Sequence, residues 1–248
     1  MEVQRIHVLN VPVDICPVSA LEEVILGLLQ KEGPKQIVFL SLNDLLKARK
    51  NGEFRETIKK ADLVLPISRS ILRGATMLKL KTPILHNTFE TVLCILTILE
   101  THYKSLYLFG GRKKTLGEAF KNVRTTYPSL QIVGRFVGYH AKAIENDIIT
   151  AIRKTSASVV LFGDGIPDKL CWMHKRRSNF NAGIFIYYPE AIGIFSKTKK
   201  RTSNESRFGF LLKFFKNPFN IFLLFPYVQY NLLLVFDKFF VDHTQTTT

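Results

Sequence analysis

Cysteine is scarce in this sequence. The chain of 248 residues contains three cysteines, and Cys16, Cys94 and Cys171 lie far apart in apolar stretches. This distribution favours buried free thiols over a disulfide framework, and it favours a reducing compartment.

Acidic residues are also few. The chain has 20 Asp and Glu against 35 Lys and Arg, which gives a formal net charge of +15. Such an excess of positive charge indicates an anionic partner. The phosphate groups of a nucleotide, nucleic acid and an acidic membrane surface all fit, and charge alone does not distinguish among them.

Several common functional signatures are missing. The first residues show no charged region followed by a long apolar core and a cleavage site, so we expect no signal peptide and a cytoplasmic chain. The six histidines have no paired ligand spacing, so we expect no metal site. No Gly-x-Ser-x-Gly elbow, Walker loop or complete dinucleotide fingerprint occurs. The basic run at residues 174–177 fits a solvated helix face or a phosphate contact better than a nucleic-acid site, so we expect no nucleic-acid partner.

A strand-like apolar run at residues 159–162 leads directly into Gly163 and Gly165. Consecutive apolar residues are typical of a strand buried on both faces of a parallel sheet. Glycines after such a strand let the backbone approach a ligand without a Cβ atom, and the turn is expected to open a helix. The pattern predicts either a ligand-binding loop or a plain chain reversal.

Apolar runs alternate with segments of helical periodicity along most of the chain. The predicted strands lie at 6–13 (one or two strands, kinked at Pro12), 36–40, 63–65, 106–109, 131–136 and 159–162, and the predicted helices at 19–29, 45–50 with a restart after Gly52, 69–80, 88–103, 115–126 and 141–154. Ser19 is expected to cap the first helix, with Glu22 three residues later. The alternation predicts an α/β fold with a doubly wound, mostly parallel, Rossmann-like sheet that binds ligands at the carboxyl ends of its strands. The loops after Leu40, Phe109 and Phe162 all fall at such ends.

The C-terminal part differs in composition. Residues 208–240 contain ten of the twenty phenylalanines, and a basic stretch precedes them. On a helix, Lys213, Lys216, Asn217 and Asn220 would form one narrow polar stripe.

This segment is interrupted too often by charged, polar and proline residues for a spanning helix, which needs about 20 apolar residues. We therefore divide the chain into an α/β domain at 1–195 and a basic, aromatic-rich helical appendage at 196–248. Segment 208–240 of the appendage is expected to lie on the cytoplasmic membrane surface. The alternative is that its aromatic residues pack on the sheet domain or on a partner subunit.

Seven blocks of the sequence carry a combined signature. They are residues 6–14, the run Phe39-Leu40-Ser41-Leu42-Asn43, residues 61–66, residues 106–111, residues 127–134 with Gly138-Tyr139, residues 160–172, and Lys200-Arg201. In this order, between about residues 5 and 225, they resemble the TagA/WecG/CpsF family of glycosyltransferases, which build wall teichoic acid, enterobacterial common antigen and capsular polysaccharides.

The resemblance implies a reaction and its partners. It implies transfer of an N-acetylhexosamine-type sugar from a UDP-sugar donor to a polyprenyl-diphosphate-linked sugar acceptor, by inverting chemistry that needs no metal or other cofactor. It also implies that the C-terminal appendage brings the enzyme to its lipid acceptor and can complete the active site. A homo-oligomer is left open.

The departures from the family pattern fall on positions to which its chemistry is attributed. Ile67 stands where the family has a catalytic Asp, Ser68 stands where it has Gly, and only Glu90 survives from its Arg-Val-Thr-Gly-x-Asp motif. Other departures are Lys169 and Leu170 in place of Gln-Glu, and Gly193 and Gly209 in place of acids. Loss of a general base lowers the rate by about 10²- to 10⁴-fold. Asp164 is the candidate replacement, although an aspartate at this place also suits an ordinary turn.

The candidate site residues follow from these matches. Asp164 and Asn43 are the predicted catalytic residues. The predicted substrate-binding residues are Ser41, Glu90, Gly110, Gly111, Arg112, Tyr139, Gly163, Gly165, Pro167, Lys169, Lys200 and Arg201. Among them, glycines can present backbone N–H groups, hydroxyl and amide groups can bind sugar hydroxyls, and the cations can neutralise a diphosphate.

Two other classes of function stay open. One is a catalytically inactive relative that binds a nucleotide sugar, a lipid or a partner enzyme. The other is a basic nucleic-acid-binding protein, for which binding would be salt-sensitive and would survive deletion of residues 208–248.

Overall fold

A parallel β-sheet forms the centre of the protein. The computed structural model describes residues 3–50, 52–200 and 225–240. The strands are β1 (Gln4–Val8), β2 (Val11–Ile15), β3 (Lys35–Leu40), β4 (Leu63–Pro66), β5 (Ser105–Phe109), β6 (Gln131–Phe136), β7 (Val159–Phe162) and β8 (Ile184–Tyr187). Six of them form one sheet in the order β4-β3-β8-β7-β5-β6, and every pair is parallel. The predicted doubly wound α/β class is confirmed.

Helices cover both faces of this sheet. They are α1 (Leu21–Gln30), α2 (Leu42–Lys50), α3 (Gly52–Lys59), α4 (Arg69–Met77), α5 (Thr88–Thr101), α6 (Lys113–Thr126), α7 (Glu145–Thr155), α8 (Cys171–Lys175), α9 (Ala191–Phe195) and α10 (Phe225–Phe240). Successive side chains of a strand point to opposite faces. In β3, Ile37 and Phe39 pack with α1, α5, α6 and α9, whereas Val38 and Leu40 pack with β1, β2 and α2 to α4.

The first two strands form an antiparallel hairpin. Its turn is made by Leu9 and Asn10, which both have positive φ, so the predicted kink at Pro12 is wrong. Asp14 is almost fully buried and accepts hydrogen bonds from the Arg5 guanidinium (2.7 and 2.8 Å) and from the Val64 backbone N–H (2.6 Å). The Arg5–Asp14 ion pair joins the two strands of the hairpin, and the hydrogen bond from Val64 ties the hairpin to the edge strand β4.

Two other local predictions are wrong. A 3₁₀ turn at Val18–Ala20 precedes α1, and the residue before that helix, Ala20, makes no side-chain cap, so Ser19 does not cap it. The glycine turn after β7 does not open a helix either, because α8 begins only at Cys171.

The connections after two neighbouring strands run to opposite faces of the sheet. After β3 the chain enters α2, which packs on the hairpin side. After the adjacent strand β8 it enters α9, which packs on the other side. Ligands of doubly wound sheets bind in the crevice at such a switch point. The topology therefore favours a site between the carboxyl ends of β3 and β8.

Helix α10 docks on the outside of the domain, against α2 and α4. Tyr230 and Leu234 are its buried anchors. A Cβ atom at Gly74 of α4 would collide with the Tyr230 phenol, so glycine is required there for the aromatic ring to fit. Among the described helices, none is long and apolar enough to cross a membrane. The predicted polar stripe at residues 213–220 lies outside the described residues.

Candidate functional site

The loops that follow the six parallel strands meet at one edge of the sheet. Because all six strands are parallel, their carboxyl ends lie side by side. The three loops predicted as ligand loops, after Leu40, Phe109 and Phe162, are all at this edge. The loop after Tyr187 joins them. The sequence does not predict this fourth loop, because the apolar run at 184–187 is only four residues long and does not stand out as a strand.

Glycines hold three of these loops in contact. A Cβ atom on Gly110 would lie 2.6 Å from the Gly163 backbone, and one on Gly138 would collide with the Asp164 carbonyl. The N–H of Gly110 donates to Phe136 O, that of Gly111 to Asp164 O and that of Gly163 to Phe109 O. These glycines therefore allow the loops to pack backbone against backbone. Their predicted contact with a ligand remains a prediction.

Asp164 lies next to two other predicted residues. The Tyr139 hydroxyl donates a hydrogen bond to Asp164 Oδ2 at 3.2 Å, and the Arg112 guanidinium lies 5.5 Å from the centre of the Tyr139 ring. The negative charge of Asp164 raises the pKa of the Tyr139 phenol. Tyr139 is therefore a neutral hydrogen-bond donor, and 56% of its surface is exposed at the mouth of the site.

A cavity of about 730 Å³ opens beside this group. Its lining contains the cations Lys142 and Arg176 and the acids Glu145 and Asp168, together with Tyr139, His140, Gly165, Ile166 and Pro167. Arg176 is paired with Glu145 and Asp168, whereas Lys142 is exposed. We name this space the basic cavity after Lys142, the exposed cation of its lining. Lys169, predicted to contact a diphosphate, is exposed with positive φ just outside its lining.

A second cavity, of about 450 Å³, occupies the switch point between β3 and β8. Its polar lining consists of Ser41, Asp44, Asn87, Thr88, Tyr187, Tyr188 and Glu190. Ile67, at the position where the resemblance places a catalytic acid, lines the same space. We name it the acidic cavity because two carboxyl groups, those of Asp44 and Glu190, border it.

The loop after β3 fixes one of these acids in place. Ser41 precedes α2 and its hydroxyl lies 2.5 Å from Asp44 Oδ2, while the Ser41 N–H donates to the same oxygen and the Asp44 N–H donates back to Ser41 Oγ. This is the reciprocal arrangement of a capping box, in which the side chains satisfy free N–H groups at the start of a helix. Asn43, predicted as catalytic, is exposed in the first turn of α2 and does not line the acidic cavity.

Tyr187 lies close to both Asp164 and Asp44. It is half-buried at the end of β8 and lines the acidic cavity. Burial raises the pKa of its phenol, and the charges of Asp164 and Asp44 and the Tyr139 phenol raise it further. Because such contributions require proximity, Tyr187 lies near Asp164 and Tyr139 as well as near Asp44. Its hydroxyl is neutral.

Glu90 does not join the acidic cavity. Asn87 caps α5 by accepting hydrogen bonds from the N–H groups of Phe89 and Glu90, which directs Glu90 to a smaller cavity of about 160 Å³ with His86 and Cys94. His86 is buried and its Nε2–H donates to Cys16 O; burial lowers the pKa of this imidazole.

The remaining predicted residues lie at the end of the main described segment. Lys200 is exposed, and Arg201 lies outside the described residues. Across residues 3–50, 52–200 and 225–240, no group of three or more His, Cys, Asp or Glu side chains is placed to hold a metal ion.

The sequence of this chain matches a known protein family. A family model described as the glycosyl transferase WecG/TagA/CpsF family matches residues 6–238. No curated protein matches the chain significantly. The matched range includes both cavities and α10 up to residue 238.

Proposed function

The chain belongs to the WecG/TagA/CpsF family of glycosyltransferases, which act in the synthesis of cell-surface polysaccharides, and we propose that it transfers an N-acetylhexosamine-type sugar from a UDP-sugar to a polyprenyl-diphosphate-linked acceptor. The basic cavity takes the nucleoside diphosphate of the donor, and the acidic cavity takes the reacting acceptor hydroxyl. No metal or other cofactor takes part in the proposed reaction.

Exposed cations beside one cavity and two acids in the other carry this proposal. Arg112 and Lys142 lie on the side of the basic cavity, where a leaving diphosphate needs positive charge. Asp44 and Glu190 lie in the acidic cavity, where a hydroxyl nucleophile needs a proton acceptor. The Tyr187 hydroxyl, which lies near both Asp44 and Asp164, can bind a sugar that spans the two cavities.

The proposed reaction follows from this placement of the charged groups. The acceptor oxygen attacks the anomeric carbon on the face opposite the diphosphate, so the configuration inverts. A carboxylate takes the hydroxyl proton, and the diphosphate leaves with the electron pair of the broken C–O bond. Cations that already lie beside the leaving group before the reaction stabilise the negative charge that develops on it.

Release of UDP tests the proposal. The purified full chain is incubated with a panel of UDP-sugars, with and without a polyprenyl-diphosphate-linked sugar in liposomes. We expect release from one donor and only when the acceptor is present. No release from any donor, together with retained UDP binding, would contradict the transferase proposal and favour a catalytically inactive relative.

The same proposal includes a membrane surface as partner, at the cytoplasmic face of the cell membrane. Helix α10 exposes Phe225, Val228, Leu232, Val235 and Phe239 along the stripe opposite its buried anchors. The helices beneath it carry exposed cations, which are Arg69 and Arg73 on α4 and Lys47 and Lys50 on α2. Exposed apolar side chains, together with cations on the neighbouring helices, suit an anionic lipid surface, to which each nearby cation contributes about 1 kcal/mol.

Vesicle flotation tests this surface. The double substitution Leu232→Glu and Phe239→Glu places two acids on side chains that are 66% and 74% exposed. It is expected to reduce binding to phosphatidylglycerol vesicles at least about 10-fold, because burial of each apolar side chain contributes about 1.5–3 kcal/mol.

The matched control is Val18→Glu, since Val18 is 59% exposed but lies outside α10. It should leave vesicle binding unchanged. Equal binding by the control and the α10 double variant would contradict α10 as the membrane contact.

A further inference from the structure

Asp44 is the acid of the acidic cavity whose position suits a specific chemical role. We propose that the Asp44 carboxylate is the general base that takes the proton from the acceptor hydroxyl, with Ser41 holding it in place and Tyr187 lining the same cavity. This inference rests on the proposed sugar transfer, because it assigns one step of that reaction.

The hydrogen bonds of Asp44 leave one of its oxygens available. Both hydrogen bonds to the carboxylate, from the Ser41 hydroxyl at 2.5 Å and the Ser41 N–H at 3.3 Å, go to Oδ2. Within the described part of the chain, Oδ1 has no hydrogen-bond partner. A carboxylate held through one oxygen has a fixed orientation, and its other oxygen can accept a proton from a ligand in the cavity.

The position of Asp44 suits a proton acceptor. It lies in the first turn of α2, where the helix N-terminus stabilises negative charge. It also lies close enough to Tyr187 for its charge to raise the pKa of that phenol. The Tyr187 hydroxyl is therefore a donor that can hold the sugar next to Asp44 Oδ1.

The other two acids of the site differ from Asp44 in how they are held. Asp164 accepts a hydrogen bond from the Tyr139 hydroxyl and lies on the side of Arg112, where the leaving diphosphate is proposed to bind. Glu190 lines the acidic cavity at the start of α9, and together with burial it raises the pKa of Tyr188 to about 12. Neither is held by the loop of β3, which together with Tyr187 of β8 forms the switch-point crevice.

Atoms and electrons balance in the proposed step. The acceptor O–H bond breaks and its proton moves to Asp44 Oδ1, while the acceptor oxygen forms the new bond to the anomeric carbon. The bond from that carbon to the diphosphate breaks, and UDP leaves with its electron pair. Asp44 then loses the proton to solvent before the next cycle.

Acceptor-dependent UDP release by Asp44→Asn tests the assignment. Asparagine keeps an oxygen that can accept from Ser41 but cannot take the proton. We expect kcat to fall by about 10²- to 10⁴-fold, with the KM for the donor within about 3-fold of the unmodified value and the melting temperature nearly unchanged. The matched control is Asp147→Asn, the same exchange in the first turn of α7 outside both cavities, which should leave kcat unchanged.

Chemical rescue separates catalysis from a structural role. In Asp44→Ala, added formate is expected to restore part of the turnover, because a small carboxylate can enter the vacated volume; loss of a helix cap would not respond to it. A folded Asp44→Asn that keeps more than a tenth of kcat, or an Asp44→Ala that does not respond to formate, would overturn the assignment. Failure of the unmodified chain to release UDP would overturn the proposed function as well, so the two failures are distinguishable.

Discussion

Replacement of Gly110 by alanine is expected to lower kcat for sugar transfer at least about 100-fold. The added Cβ atom would lie 2.6 Å from the Gly163 backbone, and Gly110 has φ of +141°, which side-chain-bearing residues rarely adopt. Both loops must move to relieve the contact. Since Gly163 directly precedes Asp164, the movement displaces the Asp164–Tyr139 pair beside the proposed diphosphate site, and a displacement of about 1 Å in a group that positions the substrate can reduce the rate about 100-fold. Acceptor-dependent UDP release measures the effect.

Gly117 provides the control for this experiment. It lies inside α6, and no atom within 4 Å would meet a Cβ there. Gly117→Ala is expected to retain full turnover and to raise the free energy of unfolding by about 0.5–1 kcal/mol, because alanine loses less backbone entropy in a helix. Wild-type turnover in Gly110→Ala would show that the close contact of these loops is not needed for the reaction.

Replacement of Trp172 by alanine is expected to lower the free energy of unfolding by about 3–5 kcal/mol. Trp172 is fully buried and contacts Phe109, Phe162 and Phe180, with ring centres 5.2–5.9 Å apart. These aromatic residues lie beneath the glycine loops. Urea denaturation followed by circular dichroism is the measurement, since Trp172 is the only tryptophan and fluorescence would be lost with it.

The less severe substitution Trp172→Phe separates packing from hydrogen bonding. It keeps an aromatic ring but removes the indole N–H that donates to Glu145 Oε1 at 2.9 Å. Loss of that hydrogen bond and of part of the ring is expected to lower the free energy of unfolding by about 1–2 kcal/mol. An equal loss in both variants would mean that the hydrogen bond, and not the aromatic packing, is the main stabilising contact of Trp172.

The predicted site residues and the residues that line the two cavities overlap in part. The glycine turns after Phe109 and Phe162 are evident in the sequence, because glycine directly after an apolar run is typical of a turn where backbones approach closely. Asp44 is not evident, because a serine and an aspartate three residues apart at a helix start look like a cap, and they do form one. Tyr187 and Glu190 are not evident either, because β8 is short and its apolar run does not stand out as a strand. Asn43 is expected in the site, but its position in the first turn of α2 exposes it to solvent.

Local patterns in the sequence are sufficient to predict the alternation of strands and helices, the parallel sheet and the position of the glycine loops at strand ends. These features depend on local periodicity and on residue types that only certain turns accept. The identity of the neighbouring strands is visible only in the folded protein, and with it the fact that Asp44, Tyr187 and Glu190 border one cavity. The physical reason is that the order of strands depends on the packing of helices on the two faces of the sheet, which no short segment of the chain encodes.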